Sequence, residues 1–356
     1  MKKLSMFVAM LAFTGLSQSM YAQNEVAILH QNGNSYYFEG AGSLTSALDS
    51  AQNGDTIYLS AGNFTAPSGI NKGVMILGSG HFPDVTSQKR TTLTSGLTIS
   101  QGADSLYIEG LYIDGNVSFE NDASINEVKI KRCRTNNINF NSISVLTSKN
   151  NCCVEECYVF GCIAQGYNPG ISSQAEANNL QIIRNVIHGM SNWYGSGLLR
   201  RLKNAVIYRN ILLCNVSSCF LDVKNSQING NIIINQINTL HYDCTNNQFE
   251  NNIFTDTTVN FSSNISNNNY MGISQDSIFI NQTGTTIDYS HNYHLQYPLR
   301  YTFSTDNTEI GLFGGTTPFK ESGFPFNPQV IRKNIGIEVL PNGSLPIDIR
   351  VESQDR

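Results

Sequence analysis

The sequence predicts an all-β fold, a right-handed parallel β-helix, and three observations indicate this class. Short segments that share one pattern recur every 21 to 28 residues through the middle of the chain. Asparagine supplies 43 of the 356 residues, about 12%, while only 14% of residues are charged. β-Branched runs such as Ile232 to Ile234 alternate with turn-forming residues. A strand-and-turn unit repeated at such a period is typical of a solenoid.

Each repeat begins with an apolar residue, and a turn residue follows three positions later. The segments are IEGL from 108, IKRC from 130, VEEC from 154, IIRN from 182, IYRN from 207, INGN from 228 and FENN from 249. Equivalent positions of successive coils stack about 4.8 Å apart, and asparagine tolerates the left-handed backbone of a tight bend. We therefore expect eleven or twelve three-sided coils, with a hydrogen-bonded ladder formed by Asn185, Asn210, Asn231 and Asn252.

The N-terminal residues 1–22 have the pattern of a secretory signal peptide. Lys2 and Lys3 precede an apolar stretch from Leu4 to about Leu16, and small and polar residues follow up to Ala22. We expect the chain to be exported to the periplasm, the cell surface or the medium. No other segment is apolar and long enough to predict a membrane span.

The mature chain is expected to divide into a lead-in at 23–39, a β-helix at 40–317 and a β-rich tail at 318–356. A solenoid needs a cover over its first edge. The sequence predicts a short helix there, capped by Ser43 and followed by a first strand from Thr56 to Leu59. Its apolar face would be formed by Leu44, Ala47, Leu48 and Ala51.

Two stretches resemble a known superfamily. The helix followed by GDTIYLSAGNF and GVMILGSG is similar to the entry of the pectate-lyase-like right-handed β-helix superfamily. The stretch from DSIFINQTG to TEIGLFGG, 276–315, is similar to the closing coils of secreted β-helix proteins of Bacteroidota. The resemblance implies a fold that serves polysaccharide lyases, glycoside hydrolases and non-catalytic surface proteins alike.

Charge and cysteine content narrow the possible partners. The net charge of -5 gives no general attraction for nucleic acid, so a nucleic-acid partner is not expected. The 8 cysteines lack the spacing of a zinc site, which predicts buried thiols or one or two disulfides. We expect no cofactor and no metal site, and leave calcium binding open.

Three consecutive coils align at a spacing of 21 residues and indicate a candidate site. The aligned stretches are 199–204, 220–225 and 241–246. Leu202, Val223 and Cys244 would then point inward. The neighbouring Arg201, Asp222 and Asp243 would point outward from a strand as a charged column.

Asp222 and Asp243 are the candidate catalytic residues. Two carboxylates on neighbouring coils can divide into an acid and a base, which is what a glycoside hydrolase needs. The alternative is a surface column whose charges simply compensate one another. Among the motifs of polygalacturonase-like hydrolases only Arg201 to Lys203 has a counterpart, and Arg200 stands where related lyases carry a lysine base. Whether the protein is an enzyme stays open, with a hydrolase favoured over a lyase.

Binding of complex carbohydrate is the first functional hypothesis. Trp193 and Tyr194 could stack on a sugar ring, beside the polar side chains of Arg200, Arg201, Lys203, Lys224 and His241. A structural or adhesive surface protein with a protein partner is the remaining alternative. The column of Arg132, Glu156, Arg184 and Arg209 is expected to be a solvated stripe of surface ion pairs.

Overall fold

The computed structural model describes residues 25–82, 90–140, 147–164, 176–189, 197–216, 218–235, 241–303, 306–321, 323–326, 328–335, 339 and 343–352. The predicted signal peptide lies outside these residues. The described chain forms stacked parallel sheets that wind into a β-solenoid of about 7 turns, which confirms the predicted β-helix but with fewer than eleven or twelve complete coils. Among the described residues no helix has the length and apolar character needed to cross a membrane.

Most elements are short strands, because each coil must turn several times. The helical elements are α1 (Ser43–Ser50), η1 (Gln275–Ser277) and η2 (Pro298–Arg300). The first strands are β1 (Val26–Gln31), β2 (Asn34–Glu39), β3 (Thr56–Leu59), β4 (Gly62–Phe64), β5 (Met75–Leu77), β6 (Thr91–Leu93), β7 (Leu97–Ile99), β8 (Tyr107–Glu109), β9 (Tyr112–Ile113), β10 (Val117–Phe119), β11 (Ile125–Asn126), β12 (Lys129–Lys131), β13 (Arg134–Thr135), β14 (Ile138–Asn139), β15 (Lys149–Asn150), β16 (Cys153–Glu155), β17 (Tyr158–Val159) and β18 (Ile163–Ala164). The remaining strands are β19 (Ala177–Asn178), β20 (Gln181–Ile183), β21 (Val186–His188), β22 (Gly197–Arg200), β23 (Leu202–Lys203), β24 (Val206–Tyr208), β25 (Ile211–Cys214), β26 (Ser218–Leu221), β27 (Gln227–Asn229), β28 (Ile232–Asn235), β29 (His241–Tyr242), β30 (Gln248–Glu250), β31 (Ile253–Phe254), β32 (Ile265–Asn267), β33 (Phe279–Asn281), β34 (Asn292–Leu295), β35 (Gln329–Ile335) and β36 (Ile347–Glu352).

Four sheets line the described winding, whereas three sides were expected. The long sheet has the order β2-β1-β3-β5-β8-β12-β16-β20-β24-β27-β30-β32, and the nine-stranded sheet has the order β31-β28-β25-β21-β17-β13-β9-β6-β4. A seven-stranded sheet runs β29-β26-β22-β18-β14-β10-β7, and a narrow fourth sheet runs β11-β15-β19-β23. The predicted repeat register is confirmed, since Ile108, Ile130, Val154, Ile182, Ile207, Ile228 and Phe249 are successive partners in the long sheet.

The coils turn at residues with left-handed backbone, which form three columns. The bend after the long sheet uses Gly110, Arg132, Glu156, Arg184, Arg209, Gly230, Asn251 and Asn268. The bend before that sheet uses Ser105, Glu127, Asn151, Asn179, Asn204, Asn225, Asn246 and Ser263. Arg201, Asp222 and Asp243 form the third column, with φ of 58, 54 and 54 degrees. These three residues therefore sit in a bend and not on the outer strand face that the sequence predicted.

Asparagine side chains join successive turns just inside the bend after the long sheet. Nδ2 of Asn185 donates to Oδ1 of Asn210 at 3.0 Å, and Nδ2 of Asn210 donates to Oδ1 of Asn231 at 3.0 Å. Asn231 makes the same bond to Asn252, and Asn252 to Asn269. The same amides donate to backbone carbonyls, so these buried polar groups are satisfied where the sheet hydrogen bonds end.

Helix α1 and the β1–β2 hairpin cover the first turn. The helix buries Leu44, Ala47 and Leu48 as predicted. The expected cap was wrong by one residue, because Gly42 is the N-cap and Ser43 is the first helical residue, whose hydroxyl makes no capping bond. Strand β1 pairs antiparallel with β3, so the leading edge of the long sheet is extended by the hairpin and does not end at Thr56–Leu59.

A second core lies outside the solenoid, against the nine-stranded sheet. Outward-facing side chains of that sheet, such as Val186, Ile211 and Ile232, are buried beneath residues from 278 to 319. The stretch 276–315, expected to form closing coils, therefore does not continue the parallel stack, which ends at β32. We call residues 276–326 the cover segment. It includes the antiparallel pair β33–β34 and packs back along the side of the coils.

The cover segment also buries the charged column that the sequence placed in solvent. Arg209 has no exposed area, and its guanidinium donates to Asp306 Oδ2, Thr308 Oγ1 and the carbonyl of Glu309. Arg184 donates to the carbonyl of Gly314 at 3.2 Å. The solvated stripe was thus wrong, because the sequence repeat contains no information about what lies over it.

The cysteines are resolved into both of the expected states. Cys214 and Cys219 form a disulfide with Cα atoms 5.6 Å apart. The stacked Cys133 and Cys157 are free and buried, and burial strongly raises the pKa of both thiols. They therefore serve as small apolar core residues.

Candidate functional site

The aligned coils place the predicted column as expected in register. Leu199 pairs with Phe220, and Phe220 pairs with His241. Leu202, Val223 and Cys244 are buried in the core, which confirms their predicted inward direction. Because Arg201, Asp222 and Asp243 precede these residues, they stand next to one another at the same corner of three turns.

Asp222 is held by two cations. Its Oδ2 lies 3.3 Å from Arg201 Nε, and its Oδ1 lies 2.6 Å from Lys224 Nζ. The Arg201 and Asp222 side chains are both half-buried against the coil. A sugar hydroxyl that approached this carboxylate would have to share its oxygens with the two cations.

A further carboxylate, that of Glu176, neutralises the predicted basic residues. Glu176 Oε1 lies 3.1 Å from Lys224 Nζ, and its Oε2 lies 3.6 Å from Lys203 Nζ. Three cations and two carboxylates thus form one network across three turns. The network therefore has little excess positive charge with which to attract an acidic sugar.

Asp243 has a different environment. It is exposed, and together with Tyr242 it borders a surface cleft of about 480 Å³. The tyrosine ring is 65% exposed. Besides Tyr242, the polar lining includes the carboxylates of Asp243 and Asp256 and the hydroxyls of Thr245, Ser262 and Ser263. We call this space the Tyr242 cleft.

The remaining predicted binding residues are dispersed. His241 lies at the cleft and bonds the carbonyl of Asn260 through Nε2, which orders the far wall. Arg200 ends β22 and is half-buried, and burial lowers its pKa. Trp193 and Tyr194 lie outside the described residues.

A second cleft of about 340 Å³ lies on the long sheet near the end of the cover segment. Tyr107 donates from its hydroxyl to Glu109 Oε2 at 2.9 Å, and Arg132 Nη1 donates to Glu109 Oε1 at 3.0 Å. Burial raises the pKa of Glu109 despite the neighbouring arginine. Because the Glu109 side chain has no exposed area, a ligand in this cleft does not reach it.

Glu155 has the opposite shift on the same sheet. Burial opposes its charged form, but hydrogen bonds and ion pairs from Lys129 and Lys131, at 2.7 and 3.0 Å, outweigh this and lower its pKa. Opposed carboxyl pKa values can indicate an acid and a base. Here, however, the arginine that holds Glu109 has a structural role as well. Arg132 also donates to the carbonyl of Phe324 and so fastens the cover segment to the long sheet.

The sequence interpretation missed Glu176 and the far wall of the Tyr242 cleft. Glu176 comes at the end of a long insertion, and such insertions have no repeat register. Asp256, Ser262 and Ser263 lie between β31 and β32, where the spacing between coils shortens to 17 residues. A run of hydroxyl and carboxylate side chains after the last regular coil was the only available signal.

The described residues contain no group of three or more His, Cys, Asp or Glu side chains arranged to hold a metal ion. Comparison with known proteins gave no similarity from which a function could be transferred. No protein family, curated protein or solved structure matches the chain.

Proposed function

We propose that this β-solenoid protein binds a neutral glycan in the Tyr242 cleft and that it does so without cleaving it. The single observation that carries the proposal is the largely exposed tyrosine ring beside a polar cleft. An aromatic face can stack on the apolar face of a sugar, while carboxylates and hydroxyls accept and donate hydrogen bonds to its hydroxyl groups. A volume of about 480 Å³ lies in the usual range of ligand sites.

The charges of the cleft support a neutral ligand. None of the described residues that line it is Lys or Arg, whereas Asp243 and Asp256 do line it. An acidic polysaccharide would place its carboxylates near these two groups, and like charges repel. Export of the protein is part of this proposal. So is a relationship to the pectate-lyase-like superfamily and to the secreted proteins of Bacteroidota that the sequence resembles.

Hydrolysis by Asp222 and Asp243 is less well supported. The two residues are neighbours, yet only Asp243 lines the cleft, and both oxygens of Asp222 are engaged by Arg201 and Lys224. A general acid has to reach the leaving oxygen within hydrogen-bond distance. A binding site asks less of these residues, because it needs only fixed acceptors around the sugar.

Glycan binding by the full chain tests the proposal. A neutral-glycan panel should identify a ligand, and Tyr242→Ala should weaken its binding at least about tenfold, a loss of about 1.4 kcal/mol. The matched control is Tyr37→Ala, since Tyr37 is 69% exposed but lies on β2 at the other end of the solenoid. Failure of the intact protein to bind any glycan would refute the proposal and favour a protein partner. Equal losses in the two variants would refute the Tyr242 cleft as the binding site.

A further inference from the structure

The C-terminal hairpin of β35 and β36 exposes an apolar face. In β36 the side chains of Ile347, Ile349 and Val351 are 58%, 50% and 54% exposed. They alternate with Asp348 and Arg350, so the three apolar groups lie on one face of the strand and the two charged groups on the other. Three exposed β-branched residues in a row on one strand face are unusual for a surface in water.

The same strand has an edge that no described strand covers. β36 pairs antiparallel with β35, and the two form a sheet of their own among the described residues. A two-stranded hairpin is only marginally stable in water. An edge strand also presents a row of backbone donors and acceptors to any strand that can align with it. Exposed apolar side chains and an open edge therefore coincide on β36.

The sequence of β36 is complementary to itself when it runs antiparallel. Take Ile349 of two copies as opposite residues on a two-fold axis. Asp348 of each copy then lies opposite Arg350 of the other, and Ile347 lies opposite Val351. Opposite residues of antiparallel strands share a face, so both charge pairs form on one face and the apolar pairs on the other. A shift by one residue would place Asp348 opposite Ile349 instead.

We infer that β36 is a homodimerisation strand, which pairs antiparallel with β36 of a second copy in the register centred on Ile349. The arrangement is isologous, as expected for a closed two-fold dimer. It joins two hairpins into a four-stranded sheet in which Ile347, Ile349 and Val351 of both copies lie on one face. This assembly is independent of glycan binding, because the Tyr242 cleft lies on the solenoid and not on the hairpin.

Charge reversal tests the register. The molar mass of the full chain, measured by sedimentation over a range of concentrations, should be that of a dimer. Asp348→Arg and Arg350→Asp alone each create two like-charge pairs, and each should raise the dimer dissociation constant at least about tenfold. The double exchange restores both pairs and should restore dimerisation.

Two further variants complete the test. Ile349→Asp should abolish the dimer, since it places two carboxylates on the two-fold axis. Leu299→Asp is the control, because Leu299 is 89% exposed but lies in η2, and the dimer should persist. Hydrogen exchange at the β35–β36 amides checks that the hairpin is retained. A monomeric wild-type chain at about 100 μM, a dimer insensitive to the single reversals, or failure of the double exchange with the hairpin retained would overturn the inference.

Discussion

Two bend columns of the solenoid have nearly the same backbone conformation but differ in how deeply their side chains are buried. Arg132, Arg184 and Arg209 turn the chain after the long sheet, and Arg201 and Asp222 turn it after the seven-stranded sheet, all with left-handed backbone. The first three are buried by the cover segment, whereas the second pair keeps 15% and 16% of its side-chain area exposed next to the open Tyr242 cleft. The local sequence specifies the bend. Whether the bend residues hold the cover segment or remain at the surface depends on a segment that is distant in sequence.

The largest difference between the columns should appear in stability. Arg209→Ala removes bonds to Asp306, Thr308 and the carbonyl of Glu309 in a buried place, so unfolding in urea should lose about 3 kcal/mol. The matched variant Arg201→Ala should cost less than about 1 kcal/mol, because its ion pair is partly solvated. Equal losses would mean that the cover segment does not distinguish the two columns.

A pH dependence sharpens the comparison next to the covered column, where Glu155 ends β16 and precedes Glu156. The pKa of Glu155 is lowered, so its ion pairs with Lys129 and Lys131 stabilise the fold above the ordinary glutamate range, and this contribution is lost as the pH falls through the lowered pKa. Glu155→Gln should therefore cost about 1 kcal/mol at pH 7 and clearly less near pH 3, below the ordinary glutamate range. Urea unfolding at both pH values measures this.

The control for that experiment is Glu39→Gln, since Glu39 is exposed on the outer strand β2. Its effect should be close to zero at both pH values. A loss in Glu155→Gln that is the same at pH 7 and pH 3 would contradict the assigned role of the two lysines.

The smallest effects are expected on the open side. Asp222→Asn weakens two partly solvated ion pairs and should cost no more than about 1 kcal/mol. Asp243→Asn, at the next turn, should leave stability unchanged because the residue is exposed. Neither variant should alter the release of reducing sugar from a glycan panel. Release by the wild-type protein that disappears in both variants would restore the hydrolase hypothesis.

The parts of this molecule that could be predicted are those that depend on short repeats. Ile130, Val154 and Ile182 are stacked partners because every coil repeats the same backbone conformations. Residues one repeat apart in sequence are therefore neighbours in space. The inward direction of Leu202 and Val223 followed in the same way. These are local rules applied many times, and an error in one coil does not spread to the next.

The cover segment could not be predicted on the same basis. Arg209 meets Glu309 across 100 residues, and His81 meets Tyr289 across 208. Each of these contacts occurs once and is not part of the repeat. The periodicity of the sequence therefore does not predict them. The resemblance of 276–315 to closing coils pointed in the wrong direction, because alternation of apolar residues is equally typical of a strand in the stack and of one packed against its outside.

The arginine contacts have a consequence for biosynthesis. Arg209, Arg184 and Arg132 meet residues 306–309, 314 and 324 in turn, so the segment passes the turns in the reverse of their order along the chain. The apolar outer face of the turns that are synthesised first therefore stays exposed to water until more than a hundred further residues have been made. A chaperone or a rapid completion of translation would protect that interval, and premature termination before residue 276 would leave this side of the coils permanently uncovered.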